Sequence, residues 1–314
     1  MLKTRLLHGW LRLTALLPLP VAHAIGTAVG VLMYLAARRT RRVVEDNIRI
    51  CFPSDPPATR ARLVRNSLIE LGRQVMEAGI VWYASPRRLD RLVRNPEVIR
   101  DLEACWPPGR GLLVAAPHLG NWELCSLFLN RHHRVHNLYR PPRQPWLEPL
   151  LVELRERTGA RSLPADASGL RFLLRSLRQG RLVGILPDQI PDQSGVHAPF
   201  FGVPALTMTL FSQMARKTEA GMVFFFSERL PRGQGFRLHV LPGDPAITDP
   251  DPVVAATALN RSVEACVLRA PAQYQWTYRR FRAQPDGRDS PYRRPRRAGG
   301  RRGGTRRRQR PETR

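Results

Sequence analysis

Cysteine is scarce in this sequence: Cys51, Cys105, Cys125 and Cys266 stand far apart, and no two have the C-x-x-C spacing that metal and redox chemistry favour. Small buried hydrophobes in a reducing compartment account for them, and no metal site is expected. Acid is short as well, with 25 Asp and Glu against 51 Lys and Arg, a net charge of +26. Part of that excess is local: residues 285–314 hold twelve Arg against Asp286, Asp289 and Glu312, a net of +9, which leaves +17 on the other 284 residues. The body is therefore basic enough to attract anionic lipid surfaces or an acidic protein. What residues 285–314 lack is apolar side chains, so the segment cannot offset its own ordering entropy and is expected to be disordered. Its Arg residues are either simply solvated or a means of holding RNA or acidic headgroups. Elsewhere the apolar share, 43% over the whole chain, supports a real core and excludes global disorder.

Long hydrophobic runs are also few. Residues 13–37 carry no formal charge apart from a possible one on His23, and they lie between Lys3, Arg5 and Arg12 on one side and Arg38, Arg39, Arg41 and Arg42 on the other. That length spans a bilayer or lies deep in it. Pro18, Pro20, Gly26 and Gly30 weaken it as a helix. A competing reading makes Ala22-His23-Ala24 a signal-peptidase site, but apolar sequence continues past it. The Arg cluster at 38–42 argues that whatever follows stays in the cytoplasm. The expected organisation is a membrane anchor with basic flanks over 1–42, one catalytic domain over 43–284 and the Arg/Gly-rich tail over 285–314.

Residues 42–93 read as helix broken by Pro53, Pro56 and Pro57, with apolar positions at three and four spacing. Beyond them, short apolar runs at 111–116, 135–139, 182–186, 222–227 and 236–241 read as strands. Between and after them, 121–129, 146–158, 168–179, 207–218 and 252–269 read as helices. The alternation predicts an α/β fold, a central mixed sheet flanked by helices, preceded by an N-terminal membrane-anchoring helix.

The chemistry concentrates in Pro117-His118-Leu119-Gly120-Asn121-Trp122-Glu123, directly after the first apolar run. Reactive side chains gather at the carboxyl ends of strands in open sheets. On one continuous helix His118 and Glu123 would stand about 140° apart, so the helix must begin between them. Asn121 is a good N-cap and Gly120 permits the turn. Glu123 then lies in the first helical turn, whose positive end favours its ionised form and disfavours a protonated imidazole. A neutral His118 is left to act as base, with Glu123 expected to accept a hydrogen bond from one ring nitrogen and fix the tautomer. An attacking hydroxyl would lose its proton to the other nitrogen, without a covalent enzyme intermediate. A capping Glu beside an incidental loop His is the plainer alternative.

Several strings in order change that balance: Asn47-Ile48-Arg49-Ile50-Cys51-Phe52-Pro53, His118-Leu119-Gly120-Asn121-Trp122-Glu123, Tyr139-Arg140-Pro141 and Arg155-Glu156-Arg157-Thr158-Gly159. They are followed by Leu186-Pro187-Asp188-Gln189, Pro199-Phe200-Phe201-Gly202, Pro271-Ala272-Gln273-Tyr274-Gln275-Trp276 and Arg279-Arg280-Phe281-Arg282. From about residue 38 to 285 the chain resembles the late acyltransferases of lipid A biosynthesis, the lauroyl and myristoyl transferases of the inner membrane. The resemblance implies a glycerolipid acyltransferase-like fold. It assigns His118 and Glu123 to the catalytic H-x4-[DE] pair, the essential Arg to Arg155 or Arg157, and a functionally important Asp to Asp188.

On chemistry alone, such an Arg can hold a phosphate bidentately or complete an oxyanion site, and Asp188 can orient that Arg or a sugar hydroxyl. A salt bridge between the two that merely ties loops together is the structural alternative. Asn121 and Gln189 join them as candidates for substrate binding or transition-state stabilisation. Arg140, Arg229, Arg279 and Arg280 are candidates for phosphate or carrier contacts, and Phe200 and Phe201 for lining an acyl groove, where each buried methylene is worth about 0.8 kcal/mol. The tail is outside the family pattern, and residues 190–196 depart from it enough to leave the acceptor open.

The implied activity is transfer of an acyl chain from acyl carrier protein to a hydroxyl on an anionic glycolipid, a lipid A precursor, at the cytoplasmic face of the bacterial inner membrane. No cofactor is expected beyond that acyl donor. The same chemistry on an ornithine lipid, a phosphoinositide mannoside or another glycolipid is the nearest alternative. A membrane-tethered RNA-binding protein acting through its basic tail is a more distant one.

Overall fold

Pro18 divides the expected anchor into two helices, α1 (Leu2–Ala15) and α2 (Leu19–Ala36). The chain is described here by a computed structural model covering residues 2–142, 144–192, 195–285 and 289–292. The tail expected to be disordered therefore lies outside the described residues except for Pro285 and residues 289–292.

Prolines set the next boundaries, since they are tolerated in a first helical turn but not inside a helix. After α3 (Arg38–Cys51), Pro57 opens α4 (Pro57–Tyr83) and Pro86 opens α5 (Pro86–Leu92), where the Ser85 hydroxyl accepts from the Arg88 amide. The expected boundary at residue 42 thus falls inside α3. α1 and α2 both pack along α4. Gly26 and Gly30 of α2 meet Gly72 of α4 so closely that a Cβ on any of the three would collide with backbone of the facing helix. Small residues that let two backbones touch are a device of helix packing. The glycines that weaken α2 as an isolated helix are what hold it against α4.

The remaining elements are α6 (Val98–Ala104), β1 (Leu112–Ala115), α7 (Trp122–Leu129), β2 (Val135–Tyr139), α8 (Glu148–Glu156), β3 (Arg161–Pro164), α9 (Ala167–Arg178) and β4 (Leu182–Ile185). Then come β5 (Gly195–Phe200), β6 (Val203–Met208), α10 (Leu210–Thr218), β7 (Gly221–Arg229), β8 (Phe236–Pro242) and α11 (Pro252–Arg269). Among the described residues, six strands form one mixed sheet in the order β3-β2-β4-β1-β7-β8, parallel except for β8. β1 and β4 are buried along their whole length, as strands covered on both faces must be. Alternate residues feed opposite cores: Leu113, Ala115, Phe224 and Phe226 pack on one side, Leu112, Val114, Val223 and Phe225 on the other. β1 pairs in register with β4, Ala115 opposite Ile185.

Three strands were not expected. β3 carries little apolar sequence, and β5 and β6 contain Pro199 and Pro204, which argue against a central strand. The two face one another in a separate antiparallel hairpin, Pro199 opposite Pro204, turning through Phe201 and Gly202 at φ of 49° and 76°. β6 also takes residues 207 and 208 from the expected helix at 207–218, so α10 starts at Leu210. Past residue 284, the Tyr292 hydroxyl donates to the Asn47 side chain.

Candidate active site

Because β1 and β4 are parallel and in register, residues equally far beyond Ala115 and Ile185 leave the sheet side by side. Three residues on, they are His118 and Asp188. Asp188 Oδ1 lies 2.8 Å from His118 Nδ1, and Oδ2 accepts the His118 backbone N–H at 2.9 Å. One carboxylate thus holds both the ring and the main chain of one residue. An ionised carboxylate only accepts, so Nδ1 carries the proton and Nε2 keeps its lone pair. The Gln189 carboxamide nitrogen lies 3.2 Å from Nε2 and also donates to Gln275 Oε1 at 2.9 Å. Burial would raise the Asp188 pKa, but the adjacent imidazole and backbone N–H hold it below the ordinary value. The His118 side chain is 14% exposed and Asp188 2%, so the ring sits at an opening with its carboxylate behind it. Trp122 packs edge-on against the imidazole at 4.9 Å.

The expected hydrogen bond from His118 to Glu123 is not the one that forms. Asp188 occupies the ring nitrogen, and both Glu123 oxygens face Arg155, which donates from Nε to Oε2 at 3.0 Å and from Nη2 to Oε1 at 2.5 Å. The reason is directional. Glu123 sits in the first turn of α7 and reaches toward the last turn of α8, where Arg155 stands, whereas the carboxylate that reaches the ring leaves from the adjacent strand. Burial opposes ionisation of Glu123, but Arg155 and, more weakly, His118 hold its pKa below the ordinary value. Glu123 raises that of Arg155 in turn. The pair stays charged, and the partner of Arg155 is Glu123 rather than Asp188.

Gly120 and Asn121 make the turn as expected. Gly120 has φ of 60°, and a Cβ there would collide with the Ser227 carbonyl. The Asn121 side chain caps α7 by accepting from the Leu124 amide at 3.1 Å. The loop is pinned from outside by the segment before the chain's end: Gly120 N–H donates to Gln273 O at 3.1 Å and Gln275 N–H to His118 O at 3.0 Å. Gln273 and Gln275 belong to the string Pro271-Ala272-Gln273-Tyr274-Gln275-Trp276, which by itself assigns them no role. Their partners are about 155 residues away, beyond any local pattern.

Other candidates lie elsewhere. Asn121 is buried, with its carboxamide used for the cap and for Glu77, so it does not face a substrate. Arg229 and Arg280 are buried too. Arg229 pairs with Glu70 and Glu77, and Arg280 donates to Leu206 O and Thr207 Oγ1 while lying over the Phe200 ring, so neither is free to meet a phosphate or a carrier. Arg157 donates to Ala84 O at 2.6 Å. Arg140 bridges to Asp192 and to Ile190 O, tying down the connection after β4. Arg279 lies 5.8 Å over the Tyr292 ring. Phe200 is a core residue, while Phe201 is half-buried against Phe52 and Trp276. The cysteines at 51, 125 and 266 are buried, and burial pushes the Cys125 thiol up to about 12.

A polarised imidazole whose Nε2 lone pair meets, among the described residues, only the Gln189 carboxamide, set beside a bidentate Arg–carboxylate pair at an opening, can deprotonate a hydroxyl that displaces that carboxamide, next to a group that binds anions. Comparison with known proteins finds acyltransferases. The family described as "Bacterial lipid A biosynthesis acyltransferase" matches residues 2–283. The chain is 32% identical over 288 residues to the lipid A biosynthesis lauroyltransferase of Escherichia coli K12, covering 90% of this chain and 92% of that protein. It is 28% identical to the lipid A biosynthesis palmitoleoyltransferase of the same organism, with the same coverage. Similarity extends, at 25% over 239 residues and 74% of each chain, to a phosphatidylinositol mannoside acyltransferase of Mycobacterium tuberculosis.

Proposed function

Since the chain belongs to the bacterial lipid A biosynthesis acyltransferase family, we propose that it moves a fatty acyl chain from acyl carrier protein to a hydroxyl of a lipid A precursor at the cytoplasmic face of the inner membrane. The observation that carries the chemistry is the contact of Asp188 with His118 Nδ1, which leaves Nε2 as the basic atom. The acceptor hydroxyl takes the place of the Gln189 carboxamide at Nε2 and gives its proton to the ring. Its oxygen attacks the thioester carbonyl, and the collapsing intermediate releases the carrier thiolate, which takes the proton back from the imidazolium. Arg155, fixed by Glu123, faces the developing oxyanion or a phosphate of the acceptor with the nitrogen not engaged by that carboxylate. No acyl-enzyme forms.

α2 is long and apolar enough to cross a membrane, and it turns Val21, Ile25, Leu32 and Leu35 outward beside Leu2, Leu6 and Leu13 of α1. These side chains, followed by the arginines of α3, support a bilayer contact with the domain on the cytoplasmic side. The net positive charge suits an acidic carrier.

Purified protein, a radiolabelled acyl carrier donor and a panel of lipid acceptors test the reading. Transfer to a lipid A precursor, abolished by His118→Ala, is expected; wild-type protein that acylates none of the panel overturns it. The mycobacterial relative favours a second reading, the same transfer onto another glycolipid, which that panel separates from the first. Removing residues 293–314 leaves transfer unchanged, whereas an RNA-binding function would be lost with them.

A further inference from the structure

Glu77 is a carboxylate with no exposure, near the C-terminal end of α4, and the mechanism above makes no use of it. Four donors saturate its two oxygens. Oε1 accepts from the Asn121 carboxamide at 2.9 Å and from Arg229 Nη2, while Oε2 accepts from Arg229 Nε at 2.7 Å and lies 2.8 Å from His23 Nε2 of α2. The third Arg229 nitrogen, Nη1, reaches Glu70 Oε2 at 2.7 Å. Glu70 pairs with Arg73, whose Nε donates to Thr27 Oγ1 of α2 at 3.0 Å. One buried network therefore touches α2, α4, the cap of α7 and the end of β7.

Stability alone does not explain such a cluster. Removing a carboxylate and a guanidinium from water costs about as much as their attraction returns, and apolar residues of similar volume commonly do as well. What an ionic cluster supplies is direction. An Asn side chain can point either its oxygen or its nitrogen at a neighbour, and an ionised acceptor admits only the nitrogen. Glu77 thereby turns Asn121 Oδ1 toward the Leu124 amide, where it caps the helix that carries Glu123. The main chain of Asn121 is held as firmly, its N–H donating to Ser227 Oγ at 2.8 Å and its carbonyl accepting from the same hydroxyl at 2.7 Å. His118 is three residues upstream on this pinned turn, and Glu123 two downstream.

We propose that Glu77 is a positioning residue for the transfer reaction: through the Asn121 carboxamide it fixes the turn between His118 and Glu123, and through His23 it ties that turn to α2. The inference rests on the acyl-transfer reading. Glu77 supplies no proton and touches no substrate; it sets the angle at which the imidazole and the Arg155–Glu123 pair meet them.

Asn121→Ser tests this in the full-length protein in lipid vesicles, because Ser still caps a helix but offers no amide donor to Glu77. The expected result is a fall in kcat of about tenfold or more with KM for the acyl donor unchanged, and a shifted acidic limb of the kcat/KM profile as His118 settles differently. Glu77→Gln, close in volume, is the second variant and is expected to act in the same direction. Thermal melts and the NMR titration of the His118 ring are recorded on both variants, and neither needs turnover. A wild-type protein without transfer activity sinks the acyl-transfer reading, while an altered ring titration would still support the positioning role. Variants that keep wild-type kcat, pH profile and ring titration, or that lose melting temperature alone, overturn the proposal.

Discussion

Both carboxylate oxygens of Asp188 go to His118, so Asp188→Asn removes the acceptor that keeps Nδ1 protonated while conserving volume. The amide can present its NH2 group to the ring and stabilise the opposite tautomer, placing the lone pair away from the opening. A loss of kcat of about 10²- to 10⁴-fold is expected, with the donor KM little changed, measured by steady-state transfer. Arg155→Lys is the informative change at the neighbouring pair. A single ammonium cannot reproduce the two-pronged contact with Glu123, so kcat/KM falls despite the retained charge. A lysine variant with wild-type kinetics would remove Arg155 from the proposed reaction. The sequence singles out His118, Glu123, Arg155, Asp188 and Gln189, which the fold brings together, but it does not say which of them pair. Glu123 is five residues from His118 and invited a contact that the direction of α7 prevents; Asp188 is 70 residues away and meets the ring because β1 and β4 are neighbours in one register. Glu77 gave no signal, since its partners are 44, 54 and 152 residues distant and a lone Glu on a helix reads as a solvated charge.

At the scale of elements, the crossing of α2 and α4 is the contact most exposed to a single change. Gly26→Leu inserts a side chain where the α4 backbone already sits, and α2 must lift away. Overpacking at a helix contact costs about 1–3 kcal/mol, and here it also opens the contacts of His23 and Thr27 with α4. The expected outcome is a lower melting temperature together with reduced protection of α4 amides in hydrogen exchange. Unchanged protection would show that the crossing is not a stabilising contact. Long periodic helices and central apolar strands were readable from pattern, because each buries a face large enough to leave one. The hairpin of β5 and β6 was not, because Pro199 and Pro204 are tolerated only where no third strand needs their missing donors.

Over the whole molecule, acid acts on several carboxylates at once. The Glu77 pKa, which burial would raise, is brought down to about 2 by Arg229 and His23, and those of Glu123 and Asp188 are also lowered. A depressed folded pKa means that the unfolded chain binds more protons. The stability these groups contribute is fully present above the ordinary carboxylate range and is lost as pH falls through their folded values. Melting temperature is therefore expected to hold between pH 7 and 5 and to drop between about pH 4.5 and 2, the window set by Glu77. A flat profile down to pH 3 would contradict the ionised cluster.

The last feature of consequence is the pinning of the His118 loop by Gln273 and Gln275. A nascent chain emerges from its N-terminus, so α1 and α2 can meet lipid while the residues that complete the loop are still unsynthesised. A translation intermediate ending before residue 273 lacks both of these hydrogen bonds to the His118 turn. The proposed base is thus braced only after residues 273 to 275 have been made, long after α1 and α2.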